Sequence, residues 1–278
     1  MPTYPRMHLM DLDEIRECLR APRGRSEELL AAMEDALRTA KQRAVAGGNQ
    51  DKAKEIWCLE TILFAQMQYT EAFEQMKAGS YYDAWCTLEE VEIKLGALAR
   101  HHPLADYHLE WLVEYTRRFQ GIYPYKKFIS TGYFVKERRC GLCDAILTPR
   151  TACHHRKGEI YDGEMCFQRI TSADVDHIAL VDDPVHKSCI VHLDYNFALV
   201  EYVVEHLESP FDGWTYEWTK IRHSHGRYAE VASTDPCPCE SGTAYKDCCL
   251  SEPAGVLRPH FLVNFEVPPK QQMVVRYV

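Results

Sequence analysis

The chain has 278 residues, 46% of them apolar, and a formal net charge of −9. That length allows two domains, or one with appendages, and that apolar share supplies a real core. The acidic balance argues against a general nucleic-acid binder. No run of eighteen apolar residues occurs, so no membrane span is expected. The N-terminal MPTYPRMHLMDLDEIRE lacks the apolar stretch of a secretory signal. The compartment expected from this is the cytoplasm, where thiols stay reduced, and there the clustered ones among the twelve cysteines point to metal ligands rather than disulfides.

Residues 11–118 read as helices. Ser26 is placed to cap one, with Glu27 and Glu28 in its first turn and Leu29, Leu30, Met33 and Leu37 at helical spacing, ending near Gly47-Gly48. A second runs from about Asp51 to Lys77 and carries Ile56, Leu59, Ile62, Leu63 and Met67. Gly79 breaks it. A third continues through Trp85, Leu88, Val91, Leu95 and Leu98 and stops before Pro103. Short connectors between consecutive helices predict antiparallel hairpins. Cys18, Cys58 and Cys86 fall within these helical patterns and read as small buried hydrophobes. GSYYDA, residues 79–84, resembles the GxYxxA signature of a tetratricopeptide repeat. It occurs once, without the 34-residue period of an array.

FQGIYPYKKFISTGYFV, residues 119–135, is aromatic and basic, and is expected to link the helices to the cysteine-rich part of the chain. Residues 117–160 hold 10 Lys+Arg against 3 Asp+Glu, a basic strip between acidic flanks. The strip either balances internal acids or docks an anionic partner. It runs into RRCGLCDAILTPRTACHHRKGEIYDGEMC, residues 138–166. Cys140 and Cys143 have the CxxC spacing of a zinc knuckle. Cys153, His155 and Cys166 compete for two remaining positions of a tetrahedral ion, with His154 a weaker candidate. Asp162-Gly163 predicts a type I′ hairpin turn. With a short helix over about Thr171–His177, the knuckle and hairpin would form a treble-clef-like arrangement. Glu159, Asp162 and Glu164 read as solvated carboxylates. The His154-His155 pair resembles an HNH nuclease arrangement, but Asn49, Asn196 and Asn264 are not placed to complete one.

Beyond the cluster, residues 178–193 suggest two short strands around Asp183-Pro184. Residues 194–208 suggest a helix capped by Asp194, with Ala198, Leu199, Val203 and Leu207 as its apolar stripe. WTYEWTKIR (214–222), GVLRPHFLVNFEV and QMVVRYV read as strands. His223 and His225 read as parts of a polar loop. PCPCESGTAYKDCC, residues 236–249, places Cys237 and Cys239 one residue apart and the pair Cys248-Cys249 after eight more. Two close thiol pairs on a short polar loop converge readily on one tetrahedral zinc.

That segment resembles the SEC-C motif, the zinc-binding tail named after the translocation ATPase SecA. The likeness rests on Cys-Pro-Cys, Ser241-Gly242, Tyr245-Lys246 and Cys-Cys, with Cys249 where SecA has histidine. By resemblance such a tail docks an acidic export chaperone and the ribosome. Residues 235–252 here carry Asp235, Glu240, Asp247 and Glu252 against Lys246 alone, which an acidic surface would repel. LTPRTACHHRKGEIYDGEMC, DYNFALVEYVVEHLESPFDGW and PCPCESGTAYKDCCL with GVLRPHF are also similar to a bacterial group of SEC-C-containing proteins. That likeness implies a bacterial or phage origin and two metal sites, and no reaction.

The expected fold is α+β, in three parts. A helical domain of antiparallel hairpins spans 1–125. A central treble-clef-like zinc module with α+β elements spans 126–232. The SEC-C zinc loop with C-terminal strands spans 233–278. The expected function is a cytoplasmic zinc-binding adaptor with two structural zinc ions that docks a protein partner. Nucleic-acid binding through residues 117–160 is the alternative, and a metal-dependent hydrolase or nuclease is the less favoured one. No P-loop, GxGxxG or GxSxG is present.

Overall fold

The structure is a computed structural model and describes residues 10–192 and 194–267. It has mixed architecture, six α-helices with three small antiparallel sheets, each of two strands, among the described residues. It divides into two compact units, one ending at Phe211 and the other beginning at Asp212.

The first unit is built on helices whose ends the sequence marks. Helix α1 (Leu12–Arg20) starts with a capping box of Asp11 and Glu14. In α2 (Glu27–Ala46) the Ser26 hydroxyl accepts from the Leu29 amide. In α3 (Gln50–Lys77) the Asn49 side chain accepts from Lys52. Gly48 and Gly79, at φ +67° and +80°, let the chain reverse after α2 and α3. Helix α4 (Tyr81–Leu98) follows at once, and α5 (Leu109–Ile122) completes the bundle. Ala84 is fully buried, and the Thr87 hydroxyl donates to Gln75 across the α3–α4 pair at 2.9 Å. Helix α3 buries residues on every face, from Ile56, Trp57, Leu59 and Ile62 to Tyr69, Phe73 and Met76. A helix that buries side chains all round belongs in the centre.

The aromatic linker packs where α4 begins. Trp85 lies against Tyr123, Tyr125 and Phe128, with centroids 5.0–6.1 Å away. Tyr81 stacks on Phe197 at 4.5 Å. Strand β1 (Phe128–Cys140) leaves this cluster and pairs with β4 (Gln168–Val181), making a ribbon about 40 Å long. The helix expected over Thr171–His177 is therefore absent, and those residues lie in β4. Ile170, Thr171, Val175 and Ile178 are β-branched, and a long partner strand satisfies their backbone, so cross-strand pairing overrides the short local helical pattern.

The two strands expected around Asp183-Pro184 do not form there either. Residues 178–181 end β4, and beyond them the chain is a loop with one bridge, Ile190 to Phe128. The buried Glu89 carboxylate pins that loop by accepting from the Lys187 and Ser188 amides. Helix α6 (Ala198–Glu205) is shorter than expected and starts later. The Asn196 side chain, not Asp194, takes up its Ala198 amide.

In the second unit β5 (Trp214–His223) pairs along its whole length with β6 (Val256–Phe265), and the SEC-C-like loop lies between them. The expected strand QMVVRYV, residues 272–278, lies outside the described residues.

Glu89→Ala should strand two amides under the loop. We expect a loss of about 2 kcal/mol by denaturant titration, against almost none for the exposed Glu90→Ala.

Candidate metal centres

The central cluster forms where the ribbon ends. Strand β1 delivers Cys140, and the chain then turns so that the Asp144 amide donates to the Cys140 carbonyl at 3.0 Å. The Cys140 amide donates to Ala145 at 2.9 Å. Gly141 sits so close to the Phe167 ring that a Cβ there would lie 2.7 Å from it. Strands β2 (Ile160–Tyr161) and β3 (Glu164–Met165) make the hairpin, with Asp162 and Gly163 at φ +50° and +70°, as a type I′ turn requires. The Tyr161 hydroxyl accepts from the Arg156 amide at 3.0 Å, and its ring meets His155 edge-on.

The helices hold this module from three places. Gln50, the first residue of α3, exchanges two hydrogen bonds with Asp162 at the hairpin tip. Lys41 of α2 bridges Glu60 and Glu164 at 2.8 and 2.9 Å. His101, beyond α4, contacts the Gly158 carbonyl through Nε2 at 2.7 Å.

Donor atoms of Cys140, Cys143, Cys153 and His155 all lie within 4.8 Å of one another. Cys166 is buried beside Cys140, Sγ to Sγ 3.9 Å, but falls outside that mutually close set. The His154 ring lies against His155. In the second cluster Cys237, Cys239, Cys248 and Cys249 meet the same criterion. Four thiolates at about 2.3 Å from a zinc ion stand about 3.8 Å apart. Contacts of 3.5 Å between Cys239 and Cys248 and 3.8 Å between Cys248 and Cys249 approach that edge, as does the 3.6 Å from Cys140 Sγ to His155 Nδ1.

The thiols do not share charge evenly. Burial pushes Cys140 up, but the Cys143 and Leu142 amides and neighbouring thiols outweigh it and hold Cys140 at about 6. The Ser241 side chain leads in lowering Cys239 to about 6. Burial and then its thiol neighbours push Cys249 up to about 12, and burial leads in raising Cys166 to about 11. Each cluster thus has one thiol inclined to ionise among others that resist a second negative charge. A dication removes that conflict.

The second loop has its own support. Glu240 and Gly242, both at positive φ, turn the chain so that the Cys237 amide reaches the Thr243 carbonyl at 2.8 Å. Cys237, Tyr245 and Val256 form a small core. His225 Nε2 lies 2.8 Å from the Glu252 carbonyl and its Nδ1 2.7 Å from the Tyr245 hydroxyl. The carbonyl only accepts, so Nε2 carries a proton, and in the neutral ring Nδ1 then accepts from the tyrosine. The sequence alone puts His225 in a polar loop. Its structural use depends on a contact twenty residues away, and no local spacing announces it. Cys58 is buried and Cys18 and Cys86 are half-buried, while Cys189 is exposed.

Residues 234–251 match the family described as SEC-C motif, so the C-terminal cluster lies within that motif. No curated protein and no solved structure matches the chain.

Cys239→Ser should remove one metal equivalent and loosen residues 236–250, leaving the melting of the helical unit unchanged. Metal analysis with calorimetry checks this; loss of both equivalents or a collapsed helical transition would contradict it.

Proposed function

We propose that the protein is a zinc-binding adaptor of the cytoplasm whose two zinc ions are structural and whose modules dock a protein partner. One observation carries this reading: each cluster brings four protein donors together, and four donors leave a tetrahedral ion no open position for water or substrate. In the central site the ligands are Cys140, Cys143, Cys153 and His155, with Cys166 alongside them. In the SEC-C site they are Cys237, Cys239, Cys248 and Cys249. Zinc fits this donor set better than the hard cations, which take oxygen ligands. Bound there, it ties loops too small to fold around a core of their own.

The basic strip supports a protein partner better than nucleic acid, because carboxylates of the chain already engage four of its ten cations, among them Arg118 with Glu114. Lys127 pairs with Asp182 and Lys136 with Asp174. Arg139 pairs with both Glu137 and Asp144. Charges spent in this way release few counterions from a polyanion.

Purified protein should carry two zinc ions per chain. Cobalt substitution should give tetrahedral thiolate spectra at both sites that added azide leaves unchanged. A site whose spectrum shifts with azide has an open position and would return the hydrolase reading. Recovery of the partner from the native host should fail after chelation.

Cys143→Ser should lower soluble yield and melting temperature more than Cys239→Ser, because the central module is clamped to α2, α3 and the turn after α4. Equal behaviour of the two variants would count against a structural central ion.

Reversing Arg138, Arg139, Arg156 and Lys157 tests the alternative. Neither wild type nor variant should shift DNA or RNA at micromolar protein. A tight wild-type complex that weakens steeply between about 50 and 200 mM salt would overturn the adaptor reading.

A further inference from the structure

Among the described residues, nothing covers one face of the β1–β4 ribbon. Paired residues of an antiparallel ladder project to the same side, and successive pairs alternate. The pairs Ile129–Leu180, Thr131–Ile178, Tyr133–Val175 and Val135–Ala173 therefore share one side. The register shift after Gly132 leaves Asp176 unpaired and brings Val175 opposite Tyr133, so the apolar set stays in phase along the ribbon. Five large members of this set are exposed, from 42% for Ile129 to 70% for Ile178. None of the eight residues is charged. On the other side Lys136 and Asp174 satisfy each other.

We propose that this face is the interface of a symmetric homodimer, in which two ribbons stack as a four-stranded β-sandwich. Three features favour a second copy as the occupant. First, an uncharged apolar face can meet its own copy across a twofold axis without opposing like charges. Second, the area is sufficient. Those five residues expose about 600 Å² per chain, so a pair that covers them fully buries roughly 1,200 Å², the lower edge of the range of specific interfaces. A patch of that size is at the upper limit for a monomer. Third, the chain's charge of −9 opposes self-association over most of its surface, and this face is free of that charge. Two such sheets would pack about 10 Å apart, their side chains filling the space between. Nothing in this contact depends on the metal ions.

Sedimentation of the metal-replete full chain at about 50 µM should give twice the monomer mass of 32.2 kDa. Raising salt from about 50 mM to 1 M should tighten the dimer, because screening removes repulsion while the apolar contact persists. Val175→Glu with Ile178→Glu should abolish the dimer and keep the wild-type metal content. Phe134→Ser, on the opposite side, should leave the dimer intact. A monomeric wild type at that concentration overturns the proposal. So does a dimer that salt dissociates, or one that survives the double substitution, since either places the contact elsewhere. If the double variant fails to fold, the wild-type mass and its salt response decide the matter alone.

Discussion

Burying a long helix on all its faces is the constraint around which the first unit is arranged. Between Ala53 and Met76, α3 buries side chains on every face and exposes only Glu71 and Glu74, so neighbouring elements must cover most of it. That demand brings α2, α4 and α5 against it and draws α6 in from far along the chain. It also fixes where the ends of these helices meet. Lys41, Gln50 and His101 come from three separate segments, yet they grip one small hairpin. The central cysteine cluster inherits its position from a helical core whose sequence holds none of its ligands.

The second unit solves the same problem with far less material. Its buried set around the cluster is small, and Cys237 is itself part of it. Such a core orders little chain by apolar burial alone. The loop instead uses backbone turns at positive φ and the hydrogen bonds of His225 to fix four sulfurs. The two clusters therefore share a donor geometry but differ in support, one leaning on a large bundle and one on its own turns.

Much of this was legible in the sequence. The helix start at Ser26 and the stops at Gly48 and Gly79 follow from local rules that tertiary structure had no cause to override, and the second start, read near Asp51, lies one residue earlier at Gln50, capped by Asn49. The Asp162-Gly163 turn and both cysteine clusters follow equally local spacing. What stayed hidden was set at long range. Residues 171–177 are neutral between helix and strand, and β1, more than thirty residues earlier, decides for strand. The choice among Cys153, His155 and Cys166 was open for the same reason: three candidates stood at acceptable spacing, and only the folded loop separates four close donors from a fifth nearby. The role of His225 was invisible because it depends on Tyr245 and Glu252 across the loop.

The hydrogen bonds between Gln50 and Asp162 have a further consequence. Gln50 opens α3, and the next residues hold the first amides that lack intrahelical partners. A helix frays first at such an end. Here the terminal side chain is engaged by a turn from the cysteine module rather than by water. The integrity of that module and the fraying of this end of α3 are therefore coupled. The first turn of α3 acts as an internal gauge of the distant cluster, readable in the protection of its backbone amides.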